Sequence, residues 1–246
     1  ERAVRAVRDA MWDPERGMFF DVDPRTGRRT GVKAAVCFYP YATDLVAERH
    51  VAGFGRHLFD PKQFWTPYPV PSSSADDPLF SPDADWKGKR HNCPWNGRVW
   101  PMTNSHVADA LARVVRHHRP AWAPRLGHFL GRFLRMMTYG DRADRPNCFE
   151  HYHPSTGRGS YYRGIDDYQH SWINDLIVSH VMGILPHAAS GVTVHLLAIG
   201  VARAALDRVT VAGHRLRVTI EGRRFRLAVD GRAAGGGRVG EPVDVT

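Results

Sequence analysis

The sequence predicts a mainly helical domain with long loops, followed by a small antiparallel β unit. Two observations carry this reading. Up to about residue 185, apolar side chains recur at three- and four-residue steps, in runs that pair off with long loops on alternate connections. From about residue 188 the period shortens to two, and Gly-containing turns follow at short intervals. The expected division is therefore 1–187 for the helical part and 188–246 for the β extension.

Taken in order, residues 1–11 read as an amphipathic helix through Val4, Val7 and Met11. Residues 11–31 alternate short β-prone pieces with turns at Asp13-Pro14 and from Pro24 to Gly27, which predicts a β-hairpin. A helical period returns over 34–49 through Val36, Tyr39, Leu45 and Val46, with Pro40 in its first turn or kinking it. Gly53 and Gly55 weaken the next short segment. Residues 60–101 lack periodicity, but Phe64, Trp65, Tyr68, Phe80, Trp86, Trp95 and Trp100 predict an ordered loop system rather than disorder. Helices are expected at 103–118, with Thr103 as N-cap, at 121–138 starting from Pro120, and at 170–185. The last buries Ile173, Leu176, Ile177, Val181 and Ile184 and sets Asp175 close to its apolar face. Strands are expected at 192–198, 207–212, 215–220 and 223–229, before a flexible Gly235-Gly236-Gly237. About six helices result. A closed double ring would need roughly twice as many, so the chain is expected to be part of a larger body.

Composition narrows the function. The 246 residues are 43% hydrophobic and 11% aromatic, enough to bury a real core. Net charge is +9, yet lysine occurs only at Lys33, Lys62, Lys87 and Lys89, and the arginines run through every segment. With no helix-turn-helix, finger or RNA-binding signature, that charge predicts no nucleic-acid partner. No apolar run is long enough to span a membrane. Cys37, Cys93 and Cys148 are an odd number without a C-x-x-C, which argues against a disulfide framework and a zinc ribbon. No secretory leader or glycosylation sequon is present, and Glu1 falls inside a helical pattern. The true N-terminus is therefore expected upstream, and localisation cannot be read.

Two polar–aromatic loops, each feeding a helix, stand out. One is NCPWNGRVWPMTNSH at 92–106; the other, NCFEHYHPSTGRGSYYRGIDDYQHSW, runs from Asn147 to Trp172. The second sets Glu150 between Phe149 and His151-Tyr152, then turns at Pro154-Ser155-Thr156-Gly157. Such loops suit a pocket that grips a hydroxyl-rich ligand. Trp95 and Trp100 offer flat faces to sugar rings, with core packing as the alternative. Asn96, Arg98, Asn104 and the Asp166/Asp167 pair offer directional hydrogen bonds, and for the aspartates a capping or turn role stands beside ligand contact. His151 and His153 share a face in extended backbone, but no third ligand stands at a recognised spacing, so no metal is expected. Cys93 and Cys148 lack a partner at fixed spacing for a catalytic thiol.

The ordered set Trp95-Asn96-Gly97-Arg98-Val99-Trp100-Pro101, Thr103-Asn104-Ser105, Glu150-His151-Tyr152-His153-Pro154-Ser155-Thr156-Gly157 and Asp167-Tyr168-Gln169-His170-Ser171 resembles the (α/α)6-barrel glycoside hydrolases. The similarity is to the mannosylglycerate-hydrolase-like domain, related to trehalase and processing α-glucosidase, and covers nearly the whole chain. It implies the C-terminal half of an (α/α)6 toroid and an inverting O-glycosyl hydrolase acting on an oligosaccharide or small glycoside without a cofactor. Glu150 would be the catalytic base. Trp95, Asn96, Gly97, Arg98, Trp100, Asn104, His153, Asp167 and His170 would contact substrate. Two departures count: Arg98 stands where the commoner motif has Pro, and no segment resembles the region that carries the general-acid Asp. That acid is expected in the upstream half of the same polypeptide. Inverting hydrolysis needs such an acid and a base roughly 6.5–9.5 Å apart, with water between base and sugar. Two other readings remain open: a sugar-binding or structural helical domain that has lost the acid, and a sugar lyase or epimerase on the same toroid.

Overall fold

The computed structural model describes residues 2–83, 85–86, 89–90, 94–139, 142–161, 168, 170, 172–187 and 191–245. The chain forms two compact units, one of residues 1–118 and 129–170 and one of residues 119–128 and 171–246.

The first unit opens with helix α1, Arg2–Met11, and the hairpin of β1 (Trp12–Asp13) and β2 (Met18–Phe19). The turn between them is built by Asp13, whose Oδ1 accepts the amides of Glu15 and Arg16 at 3.0 Å each. Gly17, at φ 68°, donates its amide to the Asp13 carbonyl at 2.7 Å. Asp23 repeats the device. Its Oδ1 accepts from Arg25 and its carbonyl from Gly27, both at 2.8 Å. In each turn proline supplies the preset φ and a short acceptor side chain replaces a backbone partner.

The helical period over 34–49 resolves differently from expectation. Ala35–Ala42 is a 3-10 helix with Pro40 inside it, and the α-helix begins only at α2, Glu48–Leu58. Pro40 lacks the donor a continuing α-helix would need. Gly53 and Gly55 do not interrupt their segment, and α2 runs through both. A Cβ on Gly53 would lie 1.9 Å from the Gly17 carbonyl oxygen, so glycine lets α2 rest directly on the hairpin turn. Phe38, Tyr41, Phe54 and Phe64 fill the space behind it, and the Tyr41 hydroxyl donates to the His50 carbonyl at 2.9 Å. His50 Nδ1 accepts the Ala47 amide at the start of α2. Burial, helped by Arg49 and Arg8, lowers its pKa to about 4.

The described residues of 60–83 are ordered turns around buried Phe64 and Val70, followed by the two-residue pair β3 (Asp85–Trp86) and β4 (Lys89–Arg90). Helix α3, Pro101–His117, packs against the 3-10 helix through Val107, Leu111, Val114 and Val115 among others. It starts two residues before the expected N-cap. Pro101 takes the first helical position with its φ already set, and the Thr103 hydroxyl donates to the Trp100 carbonyl at 2.9 Å instead of capping. A 3-10 turn, Pro120–Trp122, leads into α4, Ala123–Met136, with Leu126, Phe129, Leu130, Phe133 and Met136 on its buried face. The short pair β5 (Thr138–Tyr139) and β6 (Arg142–Pro146) comes next.

The second unit corrects the helix expected at 170–185. Helix α5 is only Trp172–Leu176, a π turn continues over Ile177–Val181, and Gly183 at φ 66° ends it. Ile184 therefore lies in strand β7 (Ile184–Pro186), not on a helix face, and Asp175 is exposed. Strand β8 covers only Val192–Val194 of the expected 192–198. Strands β9 (Arg203–Val211), β10 (His214–Glu221), β11 (Arg224–Val229) and β12 (Arg232–Arg238) form an antiparallel sheet in the order β12-β11-β10-β9. β13 (Val243–Val245) pairs with β8. Ala212-Gly213 and Asp230-Gly231, all at positive φ, make the two-residue turns that match strand twist. Gly235-Gly236-Gly237 is not a flexible tail but part of β12. A Cβ on Gly236 would lie 2.2 Å from the Phe225 carbonyl oxygen, so only glycine lets β12 close onto β11. Beneath the sheet, Leu216, Val218, Ile220, Phe225 and Leu227 pack with Met182, Ile184, Val192, Val194 and Leu196.

Candidate active site

Both sequence-selected loops converge in the first unit through a chain of short extended segments. Ala35 donates to the Ser72 carbonyl at 3.0 Å and Ser74 to that of Lys33 at 2.9 Å. Ser72 in turn donates to the Arg98 carbonyl at 2.8 Å, while its Oγ accepts the Gly97 amide at 3.0 Å. Val99 and Tyr152 then exchange both backbone bonds, at 2.9 and 2.8 Å, and Tyr152 also bridges Gly159. Five segments near residues 34, 73, 98, 152 and 159 are thus laced edge to edge. The Trp95–Trp100 motif becomes a direct neighbour of the segment that carries Glu150.

Glu150 is 7% exposed and stands between Phe149 and His151, which are fully buried. The Phe149 ring is edge-on to Tyr161 at 4.6 Å and to Tyr152 at 6.0 Å, and a Cβ on Gly159 would lie 2.4 Å from it. The Tyr152 hydroxyl accepts the Phe149 amide at 2.7 Å, fixing the backbone just before the carboxylate. Glu150 is therefore a buried acid on a segment whose backbone is pinned on either side, at Phe149 by the Tyr152 hydroxyl and at Tyr152 by Val99.

Arg98 is buried and ties three loops together. Its Nε donates to His151 Nδ1 at 3.1 Å, one Nη to the Pro82 carbonyl at 2.8 Å and the other to the Arg158 carbonyl at 3.3 Å. A guanidinium has no lone pair to offer, so His151 must accept at Nδ1 and carry its proton on Nε2. Asn104, fully buried in the first turn of α3, donates from Nδ2 to the carbonyls of Val70 and Trp100 at 3.0 and 2.9 Å. Its Oδ1 makes no hydrogen bond among the described residues. Asn96 reaches the Leu79 carbonyl at 3.0 Å, and Gly97, at φ 146°, sits where a Cβ would meet Ser81 backbone at 2.9 Å.

The two tryptophans differ sharply. Their indoles stack at 4.0 Å with planes 5° apart, but Trp100 is 2% exposed and Trp95 46%. Trp100 Nε1 donates to the Pro94 carbonyl at 3.1 Å, and its ring lies 5.1 Å from that of His151. Trp100 is the buried backing and Trp95 the face toward solvent. His170 Nε2 lies 3.5 Å from Ser105 Oγ, and Cys148 Sγ meets the His170 carbonyl at 3.5 Å. Burial, with His106 nearby, lowers the His170 pKa. Asp166, Asp167 and Cys93 lie outside the described residues. Among the described residues, no group of three His, Cys, Asp or Glu side chains could hold a metal ion.

His153 has a role that its sequence neighbours spell out. His153-Pro154-Ser155-Thr156-Gly157 repeats the Asp13 and Asp23 turns with imidazole in place of carboxylate. Its Nδ1 accepts the amides of Ser155 and Thr156 at 3.0 and 3.3 Å, and its carbonyl accepts that of Gly157 at 2.8 Å. Nε2 therefore holds the proton and faces Asp83 Oδ1 at 3.4 Å. Burial and Arg98 lower the His153 pKa, and Asp83 only partly opposes them. A histidine depressed in the folded state contributes stability that is present above its unfolded pKa, about 6.5. That contribution is lost as pH falls through the folded value. His153→Asn keeps an acceptor but cannot titrate. Melting temperatures measured from pH 7.5 to 5 are expected to fall less steeply in this variant than in the parent. An equal slope would remove His153 from the acid response.

A cleft of about 400 Å³ opens beside this turn, lined by Asp83, Arg98, His153, Arg158 and Tyr161 among others. Sequence reading missed Ser72, which links Arg98 to the 33–35 strip, and the stack of Tyr39 on His106 at 4.5 Å. Nothing in the spacing of these residues announces them, because their partners lie on other loops.

A buried carboxylate, a stacked pair of indoles and two directional amides are thus gathered on short laced segments. Residues 1–171 match the mannosylglycerate hydrolase MGH1-like glycoside hydrolase domain, and the chain belongs to that family. Among solved structures, the chain is similar over 99% of its length to a sialidase, with a TM-score of 0.81 and 19% identity. It is similar over 72% of its length to the GH63 mannosylglycerate hydrolase from Thermus thermophilus in complex with glucose, with a TM-score of 0.52 and 24% identity. Both likenesses are of fold. The chain spans 23% and 36% of those two chains' own lengths. No curated protein matches it.

Proposed function

We propose that this chain forms part of the catalytic domain of an inverting glycoside hydrolase, with Glu150 as the general base. The observation that carries the proposal is the placement of Glu150, withdrawn from solvent next to the buried Phe149, on a segment hydrogen-bonded to the Trp95–Trp100 motif. In this reading Glu150 takes a proton from the attacking water while an acid on the opposite side protonates the leaving oxygen. Trp95 receives the apolar face of a sugar ring, Trp100 backs it, and Asn104 Oδ1 accepts a substrate or water hydrogen. Asn96, Gly97, Arg98 and His153 shape the loops around the sugar, and His170 and Asp167 complete its rim. We place the general acid in the upstream half of the same polypeptide, since the chain spans only 36% of the mannosylglycerate hydrolase structure. The helical part, residues 1–187, would be the C-terminal half of an (α/α)6 toroid, and residues 188–246 its β extension. The substrate class is an oligosaccharide or small glycoside.

The proposal is tested by incubating the complete catalytic domain with a panel of aryl glycosides and disaccharides and following the released anomer by NMR. Hydrolysis with inverted configuration is expected. Retention would overturn the mechanism, and no hydrolysis with sugar still bound would favour a binding domain.

A further inference from the structure

Along the sequence, the chain's positive charge is unevenly placed. Residues 203–238 carry nine arginines against Asp207, Glu221 and Asp230, so these 36 residues supply +6 of the chain's +9. An arginine habit spread along the whole sequence does not account for that concentration. All nine are exposed.

The sheet explains how six of them, Arg203, Arg215, Arg217, Arg224, Arg226 and Arg238, gather on one face, whereas Arg232 lies opposite the core-packed Val229. β10 turns Leu216, Val218 and Ile220 into the core, which leaves Arg217, Thr219 and Glu221 outward. β11 turns Phe225 and Leu227 inward and Arg224 and Arg226 outward. The register sets Arg224 opposite Arg238 on β12 and opposite Glu221 on β10, while Glu221 faces Arg203 on β9. Like charges directly opposite each other destabilise a sheet, so the Arg224/Arg238 pair costs stability that a ligand would restore. Among the described residues, the ion pair made by these nine side chains is Arg226 with Glu221, at 2.9 Å. One outward depression of about 530 Å³ is lined by Arg208, Arg215 and Arg217 with Asp207 and Asp230. Another of about 700 Å³ is lined by Arg203, Thr219 and Glu221. Gly235 to Gly237 leave the β12 side of the face without side chains.

From this face we infer a binding surface for an anionic polysaccharide, a uronate or sulfated chain whose carboxylates or sulfates meet the guanidinium forks. Planar forks suit such groups, and outward positions recur at ~6–7 Å along each strand, a spacing that suits a polymer with repeated charge. Among the described residues, the exposed large apolar side chains, such as Trp95 and Leu79, all lie outside residues 191–245. The face therefore offers no stacking platform for bases and no apolar anchor for a bilayer. The choice of polysaccharide among polyanions rests on the glycoside hydrolase reading of the first unit.

Affinity electrophoresis of the protein in gels containing polygalacturonate, heparin or neutral mannan tests this, with tRNA and phosphatidylserine vesicles as competitors. Retardation by polygalacturonate or heparin but not by mannan is expected. The triple variant Arg215→Ser/Arg217→Ser/Arg224→Ser is expected to weaken it roughly tenfold or more. If the triple fails to fold, Arg217→Ser and Arg224→Ser singly are each expected to cost a few-fold. No retardation, unchanged affinity in the folded variants, or stronger capture by tRNA or vesicles would overturn the inference. Binding is read without turnover, so an inert Glu150 would leave this result intact.

Discussion

Replacing Glu150 by Gln is expected to lower turnover by ~10²–10⁴-fold, the usual cost of losing a general base. Folding should survive. Glutamine matches glutamate in shape, and the backbone around residue 150 is held by bonds that do not involve its carboxylate: Phe149 to the Tyr152 hydroxyl, and Tyr152 to Val99. Melting curves of parent and variant should nearly coincide while the rate collapses. The pattern matters more than the size of the loss. A variant that melts much earlier would show Glu150 to be a structural acid, and one that keeps near-parent activity would leave the base elsewhere.

The two tryptophans should separate under truncation. Trp100→Ala removes a buried ring that supports Trp95 at 4.0 Å, abuts His151 and donates to Pro94, so it is expected to cost ~3–5 kcal/mol of stability. Trp95→Ala removes a half-exposed ring and should cost far less stability, while weakening sugar binding if its face is the platform. Thermal melts beside sugar titrations of both variants check this. Equal destabilisation by the two would mean that Trp95 also serves the core. The sequence alone set them side by side as equals, because both are aromatic and five residues apart in a segment without periodicity; only the stacking order tells platform from backing.

Periodicity made the long helices and the β grammar legible. α3, α4 and strands β9 to β11 fall where their three-, four- and two-residue steps place them. Misreadings occurred where one residue overrides a period. Pro40 holds a segment in 3-10 form, Pro101 starts α3 ahead of Thr103, and Gly183 cuts short the helix that Ile184 was expected to continue. Glycines misled in the opposite direction. Gly53 and Gly236 stand where a second backbone approaches too closely for any Cβ, so they mark tight packing rather than weakness. The residues of the site were visible as a composition of amides, aromatics and a carboxylate. Its architecture was not, because it is built from strips of two or three residues joined by single bridges between loops far apart in sequence. The His153 turn is an intermediate case. Its kinship with the Asp13 and Asp23 turns is readable as a repeated Pro-x-x-Gly, yet the imidazole's service as an acceptor emerges only from the Ser155 and Thr156 amides.

The central claim, that Glu150 activates the attacking water, is tested most directly by chemical rescue. In Glu150→Ala of the complete catalytic domain, azide can occupy the space left by the carboxylate and attack an activated glycosyl fluoride without needing a base. The account predicts that millimolar azide restores turnover and yields a glycosyl azide of inverted configuration. No response to azide in a folded variant that still binds sugar, or a product of retained configuration, would contradict it.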